Sequence, residues 1–329
     1  MRLSQILDEN GAKIVCATDE AGVSRKLAGV ADIRSLALAA IDAGSTIPAV
    51  IADKISDEKV DLAKALDENR ILAPIDHEDP AHVFVSGSGL SHKSWYEQEK
   101  VHHGADKSQW PDHFKTLELG HSGGKPAPGE FGAQPEWFYK GNGQILIPPG
   151  GAVEHPFYGD GPGEEAEVAG IYIIGPNREA YCIGYALGNE FADEQMYFKN
   201  VYHLAQSKKR QVSLGPELLV GALPKDISAR ITLHRKGDVQ WQADFKTGED
   251  NMLHSLANIE AHYFKYRDAY IPGDIHVLYF GNAVMSTEQG EVMEDGDVFE
   301  LECAVFGLPL VNSIKFGDAF DTPETKGLW

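Results

Sequence analysis

The chain has 329 residues, with 29 Lys and Arg against 50 Asp and Glu for a formal charge of −21, and 43% of it is hydrophobic. That content supports a sizeable core and sets aside a disordered chain. The charge repels phosphate backbones and anionic lipid heads, so no nucleic acid and no membrane surface is an expected partner. The one basic cluster is the short run Lys208, Lys209 and Arg210. Cys16, Cys182 and Cys303 stand far apart with no C-x-x-C pair, which argues against a disulfide framework or a thiolate zinc site and for a reducing compartment. With no apolar leader and no apolar run long enough to cross a bilayer, a cytoplasmic protein is expected.

In chain order, apolar spacing predicts a helix over Ile33 to Ala43, closed by Gly44, and a second over Val60 to Leu66, opened by Ser56 with Asp57 and Glu58 in its first turn. These define a small α/β unit over residues 1–78. The texture changes near Pro74, and a larger domain is expected over residues 79–329. It begins with a strand through His82 to Val85 that enters the glycine loop Ser86-Gly87-Ser88-Gly89. Residues 93–130 are rich in charge, His and Gly with little apolar period, which reads as a lid or binding segment. From Ile145 onward short strands alternate with Gly/Pro turns, at Ile145 to Ile147, Val168 to Ile174, Ile231 to Leu233, Ile275 to Phe280 and Val298 to Phe306. One helix interrupts them, over Met252 to Tyr266. Strands with occasional helices and no regular alternation predict an α+β, β-rich mixed fold rather than a Rossmann or barrel repeat.

The chemistry concentrates in two acidic stretches. If Glu165 to Ile171 is a strand, Glu165 and Glu167 project from one face about 6–7 Å apart and repel each other unless a cation lies between them. Taken alone, this is more often an acidic loop on an acidic protein. One strand later, an antiparallel return brings Glu190 or Asp193 within reach. Converging carboxylates without soft ligands describe a hard-cation site for Mg²⁺ or Mn²⁺. The competing reading is a helix N-terminus decorated with acids. His102, His103, His113 and His121 could form a metal cluster, although histidines in so charged a segment are more often simply exposed.

These residues carry a resemblance. Glu165-x-Glu167, then Gly184-Tyr185-Ala186-Leu187-Gly188-Asn189-Glu190, then Lys208 and Gly215-Pro216, together with Pro272-Gly273-Asp274-Ile275 and Gly296-Asp297-Val298-Phe299-Glu300, resemble the signature of the fumarylacetoacetate hydrolase superfamily. Gly87-Ser88-Gly89-Leu90-Ser91-His92 and Gly124-Lys125-Pro126 resemble its sugar-acid branch, which includes 2-keto-3-deoxy aldonate dehydratases. The resemblance implies a β-roll catalytic domain and a homodimer. It implies metal ligation by Glu165, Glu167 and Glu190, the last standing where most members carry Asp. It also implies His92 as general base, Lys140, Gly89, Ser91 and Asn282 as substrate contacts, and Lys208, ahead of Lys209 and Gln206, as the cation that stabilises an enolate.

The implied activity is Mg²⁺-dependent dehydration of a 2-keto-3-deoxy sugar acid. A pentonate would give 2-oxoglutarate semialdehyde. The rivals are C–C hydrolysis of a 2,4-diketo acid and, further off, a non-catalytic metabolite-binding module. Gln206 and Asn282 stand where many hydrolases of the family carry Lys and Thr, which favours dehydration.

Overall fold

Every residue of the strand Ala166–Ile174 is buried, which is how a strand reads when it is covered on both faces. The computed structural model describes residues 1–104 and 106–329. Among them, Ala166–Ile174 lies at the centre of a twelve-stranded sheet, antiparallel to Ala180–Asn189 on one side and to Ile275–Tyr279 on the other. Ala169, Ile171 and Ile173 face one core, shared with Ile33, Leu36 and Ala40 of the helix Ile33–Asp42. Ala166, Val168 and Tyr172 face the other, where Ile227, Leu233, Phe299 and Ile314 of a five-stranded sheet close over them. Two stacked sheets with a few helices are the α+β fold expected.

The N-terminal strands Arg2–Leu7, Lys13–Thr18, Ser24–Leu27 and Ile55–Lys59 form a meander. It joins the large sheet directly, because Arg2 and Leu3 pair with Leu219 and Leu218. Residues 1–78 therefore share hydrogen bonds and a core with the rest of the chain.

Several elements differ from expectation. Ser56, Asp57 and Glu58 belong to the strand Ile55–Lys59, which pairs with Ser24–Leu27. The helix begins only at Leu62, where the Asp61 side chain caps Lys64 N–H. A solvent-facing edge strand and a helix N-terminus are both rich in Ser, Asp and Glu, so composition does not separate them. Residues 93–130 contain two helices, Lys93–His102 and Asp112–Gly123. Tyr96, Phe114 and Leu117 pack there on Leu253 in a small core of their own. The expected strand ending at Phe306 stops at Glu302, and the expected helix from Met252 is confined to Leu256–Tyr263, capped by Ser255.

Close approach between the central strands requires small residues. At Gly188 a Cβ would stand 2.3 Å from Cε1 of Tyr279. That ring is fully buried and is held by a hydrogen bond from its hydroxyl to the Ser213 carbonyl at 2.9 Å. Gly188→Ala is therefore expected to lower stability by about 1–3 kcal/mol through overpacking. The check is the urea midpoint, which should fall with little change in the slope of the transition.

Candidate active site

The two central strands deliver the acidic residues to one point. Glu165 precedes Ala166–Ile174, Glu167 lies within it, and the register pairs Ala166 with Asn189 and Glu167 with Gly188. Glu190 leaves the end of the partner strand, and its N–H donates to the Glu165 carbonyl at 2.9 Å. One carboxylate oxygen from each of Glu165, Glu167 and Glu190 lies within 4.8 Å of the others, and all three side chains are buried.

Asp193, the other candidate for the third acidic position, faces elsewhere. Its carboxylate accepts from Arg210 Nη2 at 2.7 Å and from the N–H groups of Asp160, Gly161 and Met196. Burial raises its pKa, but the Asp160 N–H and Arg210 outweigh that and hold the carboxyl below its usual range.

Surrounding groups fix each glutamate. Gly281 N–H donates to Glu167 Oε2 at 2.7 Å, and Asn282 Nδ2 donates to Glu165 Oε2 at 2.6 Å. Gly281 has φ of +91°, and a Cβ there would stand 2.1 Å from Ser91 Oγ, so only glycine presents its N–H in this way. Lys208 Nζ contacts Glu165 and lies 3.0 Å from Glu190 Oε2, with the Phe138 ring on its other side at 4.8 Å. Glu164, next in the chain, accepts from both N–H and Oγ of Ser286.

Burial governs the protonation of this cluster. It pushes Glu167 well above the ordinary carboxyl range, with the charges of Glu190 and Glu165 adding to the effect. Glu190 is pushed up to about 7 by burial and by Glu165, against the pull of Lys140 and Lys208. Glu165 goes the other way, because Lys208 more than offsets its burial. Glu194, raised well above the carboxyl range by burial and the Glu165 charge, hydrogen-bonds to Glu165. Burial lowers Lys208, yet Glu165, Glu190 and Glu194 together hold it well above the ordinary lysine range. The glutamates here outnumber Lys140 and Lys208, and their donors are all oxygen, so the set fits a hard divalent cation such as Mg²⁺ or Mn²⁺.

Other expected site residues take different places. Lys140 is fully buried, contacts Glu190 and donates to the Phe191 carbonyl at 2.8 Å. Two of its three donors thus hold Glu190 and the Phe191 carbonyl. His92 has both ring nitrogens engaged, Nδ1 with Ser91 Oγ at 3.0 Å and Nε2 with Thr247 Oγ1 at 2.8 Å. Burial drops its pKa to about 3 and no hydrogen bond links it to the carboxylates, which does not suit a general base. Ser91 Oγ in turn donates to the Phe280 carbonyl, so it braces the segment that carries Gly281 and Asn282. Lys209 and Gln206 are exposed, Lys209 lying over the Tyr139 ring at 5.8 Å.

Glu136 was not among the expected site residues. Its carboxylate lies against Gly89, where a Cβ would stand 2.0 Å from Oε2. Burial lifts its pKa to about 7, with Lys208 pulling down and Glu165 pushing up. The available signal was an acid set between Pro135 and Trp137 at the mouth of the strand Phe138–Asn142. Next to Gly89, Leu90 adopts φ of +48°, a left-handed conformation that non-glycine residues hold only under local constraint.

The arrangement of stacked sheets, with this carboxylate cluster at the end of the central strands, is a fold shared with solved structures. Among solved structures, 2-keto-3-deoxy-D-arabinonate dehydratase in its apo form superimposes with a TM-score of 0.71 at 18% identity, over 97% of this chain and 100% of that one. The same enzyme complexed with magnesium and 2,5-dioxopentanoate gives 0.69 at 18% identity, over 96% and 99%. A 5-carboxymethyl-2-hydroxymuconate delta-isomerase from Mycobacterium smegmatis gives 0.56 at 17% identity, over 97% and 100%. No family model and no curated protein matches the sequence. At such identities the likeness establishes the fold.

Two substitutions separate the cation cluster from its scaffold. Asp193→Ala strands the buried Arg210 and is expected to cost about 3–5 kcal/mol of stability while leaving Mg²⁺ binding in the folded fraction. Glu167→Gln replaces a carboxyl that burial already favours in its neutral form, and is expected to leave the metal-free melting temperature unchanged or raised. It should also abolish the rise in melting temperature on adding Mg²⁺ that binding to the native state produces. Differential scanning calorimetry with and without Mg²⁺ measures both.

Proposed function

We propose that this protein is a divalent-cation-dependent hydro-lyase that dehydrates a 2-keto-3-deoxy sugar acid, a pentonate giving 2,5-dioxopentanoate, which is 2-oxoglutarate semialdehyde. The observation that carries this reading is the pairing of Glu136, poised near neutral pH against Gly89, with the buried Glu165, Glu167, Glu190 and Lys208 cluster. A Mg²⁺ or Mn²⁺ held by the three glutamates supplies Lewis acidity, which polarises a 2-keto group and acidifies the C3 protons.

The residues of the chain do the rest. Glu136 takes a C3 proton and returns it to the departing C4 hydroxyl, which leaves as water. A further proton shift from C5 to C3 leaves a C4–C5 enol that tautomerises to the aldehyde. A carboxyl titrating near 7 can both accept and donate at neutral pH, which His92 at about 3 does poorly. Lys208 faces the negative charge that develops on the substrate oxygen, Lys140 holds Glu190 in place, and Asn282 with the Gly89 to Ser91 loop orients the substrate. In this reading residues 79–329 carry the chemistry, residues 1–78 extend the sheet at its edge, and the protein works as a cytoplasmic homodimer. Sizing should then give twice the 36.0 kDa chain mass.

The similarity to a dehydratase solved with magnesium and 2,5-dioxopentanoate supports this choice, as does Asn282 on Glu165. The second reading, hydrolysis of a 2,4-diketo acid, uses the same cation but must place a water against C4. Among the described residues, no hydrogen bond joins His92 to the cluster to activate that water. Incubation with 2-keto-3-deoxypentonates and Mg²⁺ in D₂O should yield a dioxo acid of unchanged carbon number carrying deuterium. Turnover should exceed that of a 2,4-diketo acid by roughly tenfold or more in kcat/KM, about 1.4 kcal/mol of transition-state preference. Pyruvate as the main product would overturn the assignment. Glu136→Gln is expected to lower kcat by about 100-fold or more, within the range of general acid–base catalysis, with Mg²⁺ binding retained.

A further inference from the structure

A second cluster of metal-binding side chains lies outside the active site, on the helix pair within residues 93–130. Glu99 lies on Lys93–His102, and His103, one turn on, ends that helix. His113 opens the following helix, Asp112–Gly123. The Nε2 atoms of both histidines converge on one oxygen, Glu99 Oε2, at 2.8 and 3.0 Å. The three donor atoms all lie within 4.8 Å of one another. Tetrahedral Zn²⁺ with bonds of about 2.0–2.1 Å needs donor atoms about 3.3 Å apart, so each histidine nitrogen would draw back from Glu99 Oε2 by only a few tenths of an ångström to meet that spacing.

The rings are held for this. His103 stacks on Phe114 with centroids 5.1 Å apart, and Phe114 is fully buried beside Tyr96. The His103, Glu99 and His113 side chains are 26%, 24% and 38% exposed, which leaves room for an ion to enter and a water to complete its shell. Glu288 adds negative charge nearby. Partial burial first, and then Glu99, push its carboxyl up, while His113 pulls it down.

We propose that Glu99, His103 and His113 form a Zn²⁺ site that ties the two helices together. Imidazole nitrogens select Zn²⁺ over Mg²⁺, whereas the all-oxygen cluster of Glu165, Glu167 and Glu190 favours the harder ion, so one chain keeps two different metals apart. The first helix also grips the catalytic segment. Trp95 Nε1 donates to Asn282 Oδ1 at 2.9 Å, Ser94 Oγ donates to the Ala283 carbonyl at 2.9 Å, and Asn282 holds Glu165. Zinc at this site would therefore rigidify the support of the active site without touching it. The site does not depend on which reaction the carboxylate cluster catalyses.

The test is Zn²⁺ titration of the full chain by calorimetry in excess Mg²⁺, which keeps the carboxylate cluster occupied, with Co²⁺ as a spectroscopic probe. The wild type should bind one Zn²⁺ per chain and give the intense visible bands of four-coordinate Co²⁺. H103A and H113A should each weaken Zn²⁺ binding by roughly 100-fold or more, beyond the loss of an outer-shell partner. Hydrogen exchange over residues 93–123 should slow on adding Zn²⁺ to the wild type and not to either variant. H113N, which keeps a hydrogen bond to Glu99, separates ligand loss from misfolding, since it should fold by circular dichroism and still lose Zn²⁺. No zinc bound in excess Mg²⁺, or binding unchanged in H103A and H113A, would overturn the proposal and leave a hydrogen-bonded cluster only.

Discussion

The constraint on which the structure turns is the burial of more negative charge than its own cations neutralise. Glu165, Glu167 and Glu190 converge at the ends of the central strands with Glu136, Glu164 and Glu194 nearby, against Lys140 and Lys208. Water is excluded, so such a cluster relaxes by protonation, by hydrogen bonds or by taking up a cation. Burial favours the first, and the second is made by neighbouring donors. Glu167 and Glu194 are pushed well above the carboxyl range, while Ser286, Gly281 and Asn282 donate to Glu164, Glu167 and Glu165. The donor set is suited to the third.

Holding that charge in place requires a rigid frame, and the fold supplies it by covering the central strands on both faces. Ala169, Ile171 and Ile173 enter one core while Val168 and Tyr172 enter the other. The backbone carrying Glu167 is thus clamped between two packed layers, and its register against Gly188 runs unbroken from Ala166 to Ile171, with a bulge only beyond, before Tyr172. Gly170 and Gly188 let Phe280 and Tyr279 come within reach of the strands that a larger residue would push apart. The carboxylates sit at strand ends, where side chains can converge while the pleat beneath them stays regular.

The legible parts of this design were those with a strong period or an unusual spacing. The all-buried strand Ala166–Ile174 announced itself as an unbroken apolar run beginning at Glu165 and Glu167, and the antiparallel return to Glu190 followed from one short turn. Proximity in sequence could not sort Glu190 from Asp193. What sorts them is that Asp193 caps the helix Glu194–Lys199 and meets Arg210, a long-range pairing that no local pattern encodes. His92 and Lys140 were visible as reactive residue types, but their partners, Thr247 and Phe191, come from other elements. The strand Asp238–Thr247 was missed because its inward residues Trp241, Ala243 and Phe245 alternate with Gln, Asp and Lys, so no apolar run marks it. Glu136 was hidden for a different reason, since its effect depends on Gly89 across the sheet rather than on its own neighbours.

The pairing of the first strand with Leu218 and Leu219 has a consequence for how the chain comes together during synthesis. Arg2 also donates to Glu217, a contact that spans 215 residues. The opening meander therefore leaves the ribosome with its inner edge unpaired and must wait for most of the chain before that edge is covered. At about 5–20 residues per second, the exposure lasts on the order of ten seconds or more. An exposed edge of this kind invites pairing with other chains, and on the strand Arg2–Leu7 only Arg2 carries a charge to discourage it.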